Sequence, residues 1–210
     1  MSYRILVRRL WLEEGRYVTA SALKERCNPL GLSYEDALSY LFRNKYVVRI
    51  LRGFFYIPTV EERRLKTLGP NPYEAITKAM EYKKIKNWYF GLETAIKWNN
   101  ITHEHFTVDY VVSDTLFRAK PIIILGRKIK FVKLKKSLFD FGIKREKKLP
   151  YSDLEKTILD LVHIRKYAGR SDKAISDELT EWAETASKTK LRGYAKHYSL
   201  SVRRIMEKLV

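Results

Sequence analysis

Apolar positions in the first 58 residues follow a helical period three times and then switch to a strand pattern. Ile5, Leu6, Leu10 and Trp11 share one face of a helix that opens near Arg4 and stops at Gly15. A second, shorter helix starts with Thr19 as cap and turns Ala22, Leu23 and Cys27 inward. Asn28-Pro29 ends it, because proline disfavours helical geometry in the residue before it. Ser33 caps a third helix, with Asp36 three residues on as a weaker capping box and Tyr34, Ala37, Leu38, Leu41 and Phe42 on one face. From Lys45 to Ile57 the β-branched and aromatic residues predict a hairpin that reverses at Arg52-Gly53.

Past Ile57 the pattern breaks. The stretch from Pro58 to Pro72 is polar at first and ends in Gly-Pro-Asn-Pro, which neither a helix nor a central strand continues through. A helix is then predicted around Tyr73–Lys83, with Ile76, Ala79 and Met80 as its stripe, and Trp88-Tyr-Phe-Gly91 leads into another at Leu92–Trp98. From Phe106 the period becomes two. Strands are predicted at Phe106–Ser113, Pro121–Gly126 and Lys128–Leu134, the last two as a hairpin, with a final strand about Phe139–Ile143. Helices follow at Ser152–His163 and Ser171–Trp182, and one or two more within residues 189–209. The predicted fold class is α+β. A winged helix-turn-helix (residues 1–58) and a linker (59–71) precede a mixed α/β domain (72–210) with a small antiparallel sheet and flanking helices.

Charge turns this outline into a function. The 210-residue chain has a formal net charge of +18, and residues 1–58 hold ten Lys plus Arg against five Asp plus Glu. A recognition helix fits the DNA major groove and offers short polar groups to base edges. Ser33, Ser39, Tyr40 and Arg43 are the outward candidates on the third helix, followed by Lys45. Arg49 and Arg52, beside the turn glycine Gly53, are placed to neutralise phosphates, which gives affinity without sequence information. The remaining residues hold 32 Lys plus Arg against 19 Asp plus Glu. Lys128, Lys130, Lys133, Lys135 and Lys136 are a possible second basic surface, for nucleic acid or for an acidic protein.

Other chemistries find little support. The single Cys27 sits at an apolar helix position, so it reads as core rather than nucleophile, and it rules out a disulfide framework. His103 and His105 flank Glu104, but His163 and His197 lie far off in sequence, so no metal or other cofactor is expected. A nuclease needs convergent carboxylates. Asp109, Asp114, Asp140, Asp153, Glu155 and Asp160 are the acids available, and only Asp109 falls within a clear strand. No phosphate-cradling glycine loop or serine-nucleophile signature occurs, so the chain is not expected to be an enzyme. No run of 18 apolar residues and no signal-peptide core are present, which predicts a cytoplasmic protein with no membrane partner. The absence of Gln beside abundant Lys, Arg, Glu, Ile and Tyr resembles heat-adapted, thermophile composition.

Three segments resemble the AbiEi-like antitoxins of type IV toxin-antitoxin systems. The turn glycine followed by aromatics is Gly53-Phe-Phe-Tyr56, and the aromatic-led helix is Tyr89-Phe-Gly-Leu-Glu-Thr-Ala95. The strand-helix segment is Ser152-Asp-Leu-Glu-Lys-Thr-Ile-Leu-Asp160, which on its own residues reads as a capped helix start with Leu154, Ile158, Leu159 and Leu161 packing on a sheet. The resemblance implies a repressor that binds a double-stranded DNA operator and opposes a nucleotidyltransferase-like toxin, and it carries over no toxin-blocking residue. A solitary winged-helix regulator and a DNA-acting nuclease are the alternatives. The sequence leaves monomer and dimer open.

Overall fold

The computed structural model describes residues 2–12, 16–67 and 69–209; the expected helix stop at Gly15 lies outside them. The chain packs as two units, one reaching Lys84 and including Ile124–Gly126, the other holding residues 85–123 and those from Arg127 on.

The first unit opens with helix α1 (Ser2–Leu12), strand β1 (Tyr17–Thr19) and helix α2 (Ala20–Cys27). The Thr19 hydroxyl caps α2 by accepting from the Ala22 amide. A 3-10 turn at Asn28–Leu30 then leads to α3 (Tyr34–Arg43), capped by Ser33. Strands β2 (Val48–Leu51) and β3 (Phe54–Tyr56) form the expected hairpin, and β1 joins it in a three-stranded antiparallel sheet of order β1-β3-β2. Gly53, at φ 80°, makes the reversal in a region that side chains with a Cβ avoid. Leu6, Leu10, Leu23, Cys27, Ala37, Leu41 and Phe55 share the core.

Several local expectations need correction. On α1 the inward residues are Leu6, Val7 and Leu10, whereas Ile5 and Trp11 are exposed. Asn28 keeps right-handed helical geometry despite Pro29, because the chain tightens into the 3-10 turn instead of leaving the helix. The stretch after Pro58 contains α4 (Val60–Leu65), started by a capping box in which the Thr59 hydroxyl and the Glu62 carboxylate each accept from the other's amide. Helix α5 (Pro72–Tyr82), with Asn71 as cap, belongs to the first unit and packs on β2. The reason lies in β3, whose three residues are all buried. Phe55 fills the helical core, while Phe54 stacks on Tyr82 of α5 at 5.2 Å, so both faces of the strand need cover.

The second unit is built on a six-stranded mixed sheet of order β6-β7-β5-β4-β9-β8, of which Ile124 alone is grouped with the first unit. Its strands are β4 (Trp88–Phe90), β5 (Val108–Ser113), β6 (Ile122–Ile124), β7 (Arg127–Lys133), β8 (Ile143–Glu146) and β9 (Leu149–Ser152). Pairs β4/β5 and β8/β9 are antiparallel, but β5/β7 and β4/β9 are parallel, which corrects the expected small antiparallel sheet. Trp88–Phe90 is a fully buried inner strand, not a lead-in to a helix. The last strand pair starts at Ile143, and Phe139–Gly142, expected as strand, bend instead. Helices α6 (Glu93–Trp98), α7 (Leu154–Tyr167), α8 (Asp172–Glu184), α9 (Lys188–Ala195) and α10 (Leu200–Leu209) complete the unit. Ile158, Leu159, Leu161 and Val162 of α7 join Ile175, Leu179, Leu191, Val202 and Ile205 of the later helices in one core with Tyr89, Val112 and Val132 of the sheet. Among the described residues no helix is long and apolar enough to cross a membrane.

Candidate nucleic-acid interface

The α3 surface and the β2–β3 hairpin carry the sequence-predicted residues of the first unit. Ser39 and Arg43 are exposed on α3, Lys45 follows its end, and Arg49 and Arg52 are exposed on the hairpin. Lys45 holds a left-handed backbone at φ 55°, and the Arg49 guanidinium lies 5.0 Å from the centre of the Phe42 ring.

Two of the named residues have other work. The Ser33 hydroxyl accepts from the Asp36 amide at 3.4 Å and donates to Glu35 at 3.3 Å, so it is consumed as a cap. Tyr40 stacks between Tyr3, at 4.6 Å, and Tyr46, at 5.9 Å, so its ring is half-buried in an aromatic ladder rather than presented outward. Glu35 and Asp36 also place two exposed carboxylates in the first turn of α3, where they repel phosphate. The positive end of this surface is therefore the C-terminal half of α3 with the hairpin. Arg4, Arg8 and Arg9 are exposed along α1, cations that sequence reasoning missed although Arg4 and Arg8 stand four residues apart on one helix side.

Arg63 was hidden in the expected linker. Its Nη2 donates to the Asn44 carbonyl at 3.1 Å, and its guanidinium sits 4.0 Å from the Tyr46 ring centre and 5.5 Å from that of Trp11. Glu62 beside it gathers donors from Tyr56 Oη at 2.7 Å, the Thr59 amide at 2.8 Å, the Gly69 amide at 2.7 Å and Arg16 at 2.7 Å. Burial alone would raise the Glu62 pKa, but these donors outweigh it and hold it at about 2.

The five lysines of the second unit do not form one face. Lys128 and Lys130 share one side of β7, opposite buried Ile129 and Phe131, and Lys130 Nζ donates to the Ala119 carbonyl. Strand alternation puts Lys133 on the other side. Lys135 and Lys136 lie past the strand, at the 3-10 turn.

The Ser152–Asp160 segment is buried more completely than its composition suggests. Leu154, Ile158, Leu159 and Leu161 pack as expected, but Glu155, Lys156, Thr157 and Asp160 are also buried. Asp160 accepts from Tyr89 Oη at 2.6 Å, Tyr198 Oη at 2.6 Å and Lys156 Nζ at 3.3 Å. Lys156 also faces the rings of Phe141 and Tyr89 at 4.8 and 4.9 Å. Burial lowers the Lys156 pKa, with Asp160 opposing, and burial drives the Tyr89 and Tyr198 hydroxyls well up. Asp153, not Ser152, is the cap of α7, and its other oxygen accepts from Tyr194 at 3.2 Å. Gly142 approaches so closely that a Cβ there would lie 2.7 Å from Lys156 Cβ. These groups satisfy one another, and a chemistry of fixed, mutually spent hydrogen bonds is structural.

The remaining acids are dispersed. Asp109 is paired with Arg127 at 3.6 Å, and Asp114 accepts from Asn87 at 2.7 Å. His103 and His105 are exposed in an irregular segment. Among the described residues no group of three or more His, Cys, Asp or Glu is placed to hold a metal ion.

No protein-family model and no curated protein matches the chain. Among solved structures, the fold is similar to the crystal structure of the RV2827C protein from Mycobacterium tuberculosis, with a TM-score of 0.59. The match covers 99% of this chain and 75% of that one at 13% identity, which speaks for the fold alone.

Proposed function

We propose that the first unit is a winged helix-turn-helix that binds a double-stranded DNA operator, and that the protein is a transcriptional repressor. What supports the reading is one juxtaposition: the exposed Ser39 and Arg43 at the C-terminal half of α3, set in the same unit as Arg49 and Arg52 of the adjoining hairpin. In this reading α3 enters the major groove, Arg43 reaches a base edge, and the hairpin arginines hold phosphates. The excess of cations over the chain supplies the counterion-releasing attraction that any duplex binder needs. Such a protein works in the cytoplasm.

The role of antitoxin, opposing a nucleotidyltransferase-like toxin, rests on the resemblance of Gly53–Tyr56, Tyr89–Ala95 and Ser152–Asp160 to the AbiEi-like family. It assigns the toxin-opposing task to the second unit. A solitary regulator is the second reading, favoured by the fact that the Ser152–Asp160 polar groups are spent inside the fold.

Binding to the duplex upstream of the gene tests the first claim. Arg43→Ala weakens it by about 1–3 kcal/mol with an unchanged circular dichroism spectrum. Unchanged affinity removes α3 as the reading element. Growth of cells expressing the adjacent gene tests the second claim: the full-length Arg43→Ala protein restores growth if the second unit opposes a toxin, and fails if repression is the whole mechanism.

A further inference from the structure

A cavity of about 710 Å³ lies in the first unit between the end of α3, strand β2 and helix α4. Small-molecule sites are typically about 300–1,000 Å³. Phe42, Val47, Val48 and Pro58 give it apolar walls, and Lys45, Arg49, Arg63 and Lys66 give it four cations. Among the described residues lining it Glu62 is the one acid, and its carboxylate is already occupied by Tyr56, Arg16 and two backbone amides. The cavity is therefore apolar and uncompensated in charge.

Two further observations fall on the same residues. Arg63 keeps its Nε–H buried without an acceptor, a state that folded proteins avoid. Lys45 and Lys66 close the ends of α3 and α4 in left-handed backbone at φ 55°, as Lys84 and Asn100 do after α5 and α6, so glycine is accommodated at both cationic positions. A guanidinium with one N–H unaccepted, among four cations and one spent carboxylate, leaves donors in excess of acceptors beside apolar walls. A phosphodiester uses the cations and leaves the apolar walls idle; a neutral apolar molecule does the reverse. A molecule that uses both has an anionic head on an apolar body.

We infer that this cavity binds a small amphipathic carboxylate, with its hydrocarbon body against Phe42, Val47 and Val48 and its head among Lys45, Arg49, Arg63 and Lys66. The inference stands apart from the DNA reading. One consequence rests on that reading: Arg49 and Lys45 also belong to the proposed duplex surface, so the occupied cavity lowers DNA affinity, and the carboxylate is an effector.

The test uses the full chain and the fluorescent aromatic sulfonate 8-anilinonaphthalene-1-sulfonate, displaced in turn by decanoate, decanol and inorganic phosphate. Decanoate displaces it at a concentration about tenfold or more below either control. The double variant Lys45→Gly/Lys66→Gly binds decanoate about tenfold more weakly, the sum of two exposed ion pairs, while its thermal midpoint does not fall. The inference is overturned if the sulfonate does not bind, if decanol or phosphate alone matches decanoate, or if the double variant keeps its affinity. Anisotropy of a labelled duplex, with and without decanoate, separates the two readings. Decanoate binding without duplex binding leaves the cavity and removes the DNA interface; duplex binding without decanoate binding does the opposite.

Discussion

Helices α3 and α7 both start at a side-chain cap and both carry ionisable residues at helical spacing, yet they dispose of charge in opposite ways. In α3 only Ala37 and Leu41 are fully buried, and Glu35, Asp36 and Arg43 face solvent. In α7 nine consecutive residues from Leu154 to Val162 are buried, including Glu155, Lys156 and Asp160. The cause is the surroundings. Helix α3 has neighbours on one side, whereas α7 is packed by β9, α6, α8, α9 and α10. A charge in water costs little and remains available to a partner, but a charge enclosed by protein must be paired within the fold. The same residue types are therefore left open to a partner on one helix and spent on architecture on the other.

The largest effect expected from this contrast is in α7. Lys156→Met leaves the Asp160 carboxylate buried without its cation, which costs about 3–5 kcal/mol in urea unfolding. Lys156→Met/Asp160→Leu recovers part of that loss, because no lone charge remains. A single-variant cost below about 1 kcal/mol would place the pair in water and break the comparison.

Glu62 sharpens it from the other unit, where its carboxylate gathers four donors. Glu62→Gln lowers stability by about 1–3 kcal/mol, since four donors lose a charged acceptor. The pH dependence has a defined sign. The folded-state pKa, about 2, lies below the ordinary 4.5, so the stabilisation is present above pH 4.5 and is lost as pH falls from there toward 2. Acid titration of the unfolding free energy shows this slope in the wild type and not in the variant; parallel slopes would dismiss the Glu62 hub.

The smallest effect belongs to the exposed hairpin. Arg52→Ala weakens operator and random duplex alike and reduces the slope of log affinity against log salt by about one. A loss confined to the operator would mean that the hairpin reads bases.

The sequence made the first unit legible where local chemistry decides structure: Thr19 and Ser33 act as caps, and Arg52-Gly53 turns the hairpin. It was equally explicit at Thr59-Val-Glu-Glu62, whose capping-box spacing announces α4 inside a stretch taken for linker. Strands β1 and β4 span three residues each, too few for a period to register. Parallel pairing was out of reach because an alternating or wholly apolar strand reads the same in either direction. Of the candidate interface, Ser39, Arg43, Arg49 and Arg52 were legible as exposed polar positions. Tyr40 was not, since its stack needs Tyr3 and Tyr46 brought together, nor was the cavity that joins Arg63 to Arg49.

The inner strand β4 sets an order of assembly. It pairs with β5, some twenty residues later, but its other neighbour is β9, and the Tyr89 hydroxyl finds its acceptor, Asp160, 71 residues along the chain. During synthesis the first unit's three-stranded sheet is complete once Tyr56 has emerged, while β4 waits with one edge open until the segment around Tyr151 arrives. Long closures of this kind slow folding, and an apolar Trp-Tyr-Phe edge left open is a template for pairing with the wrong chain. A nascent chain paused before Tyr151 still carries that open edge.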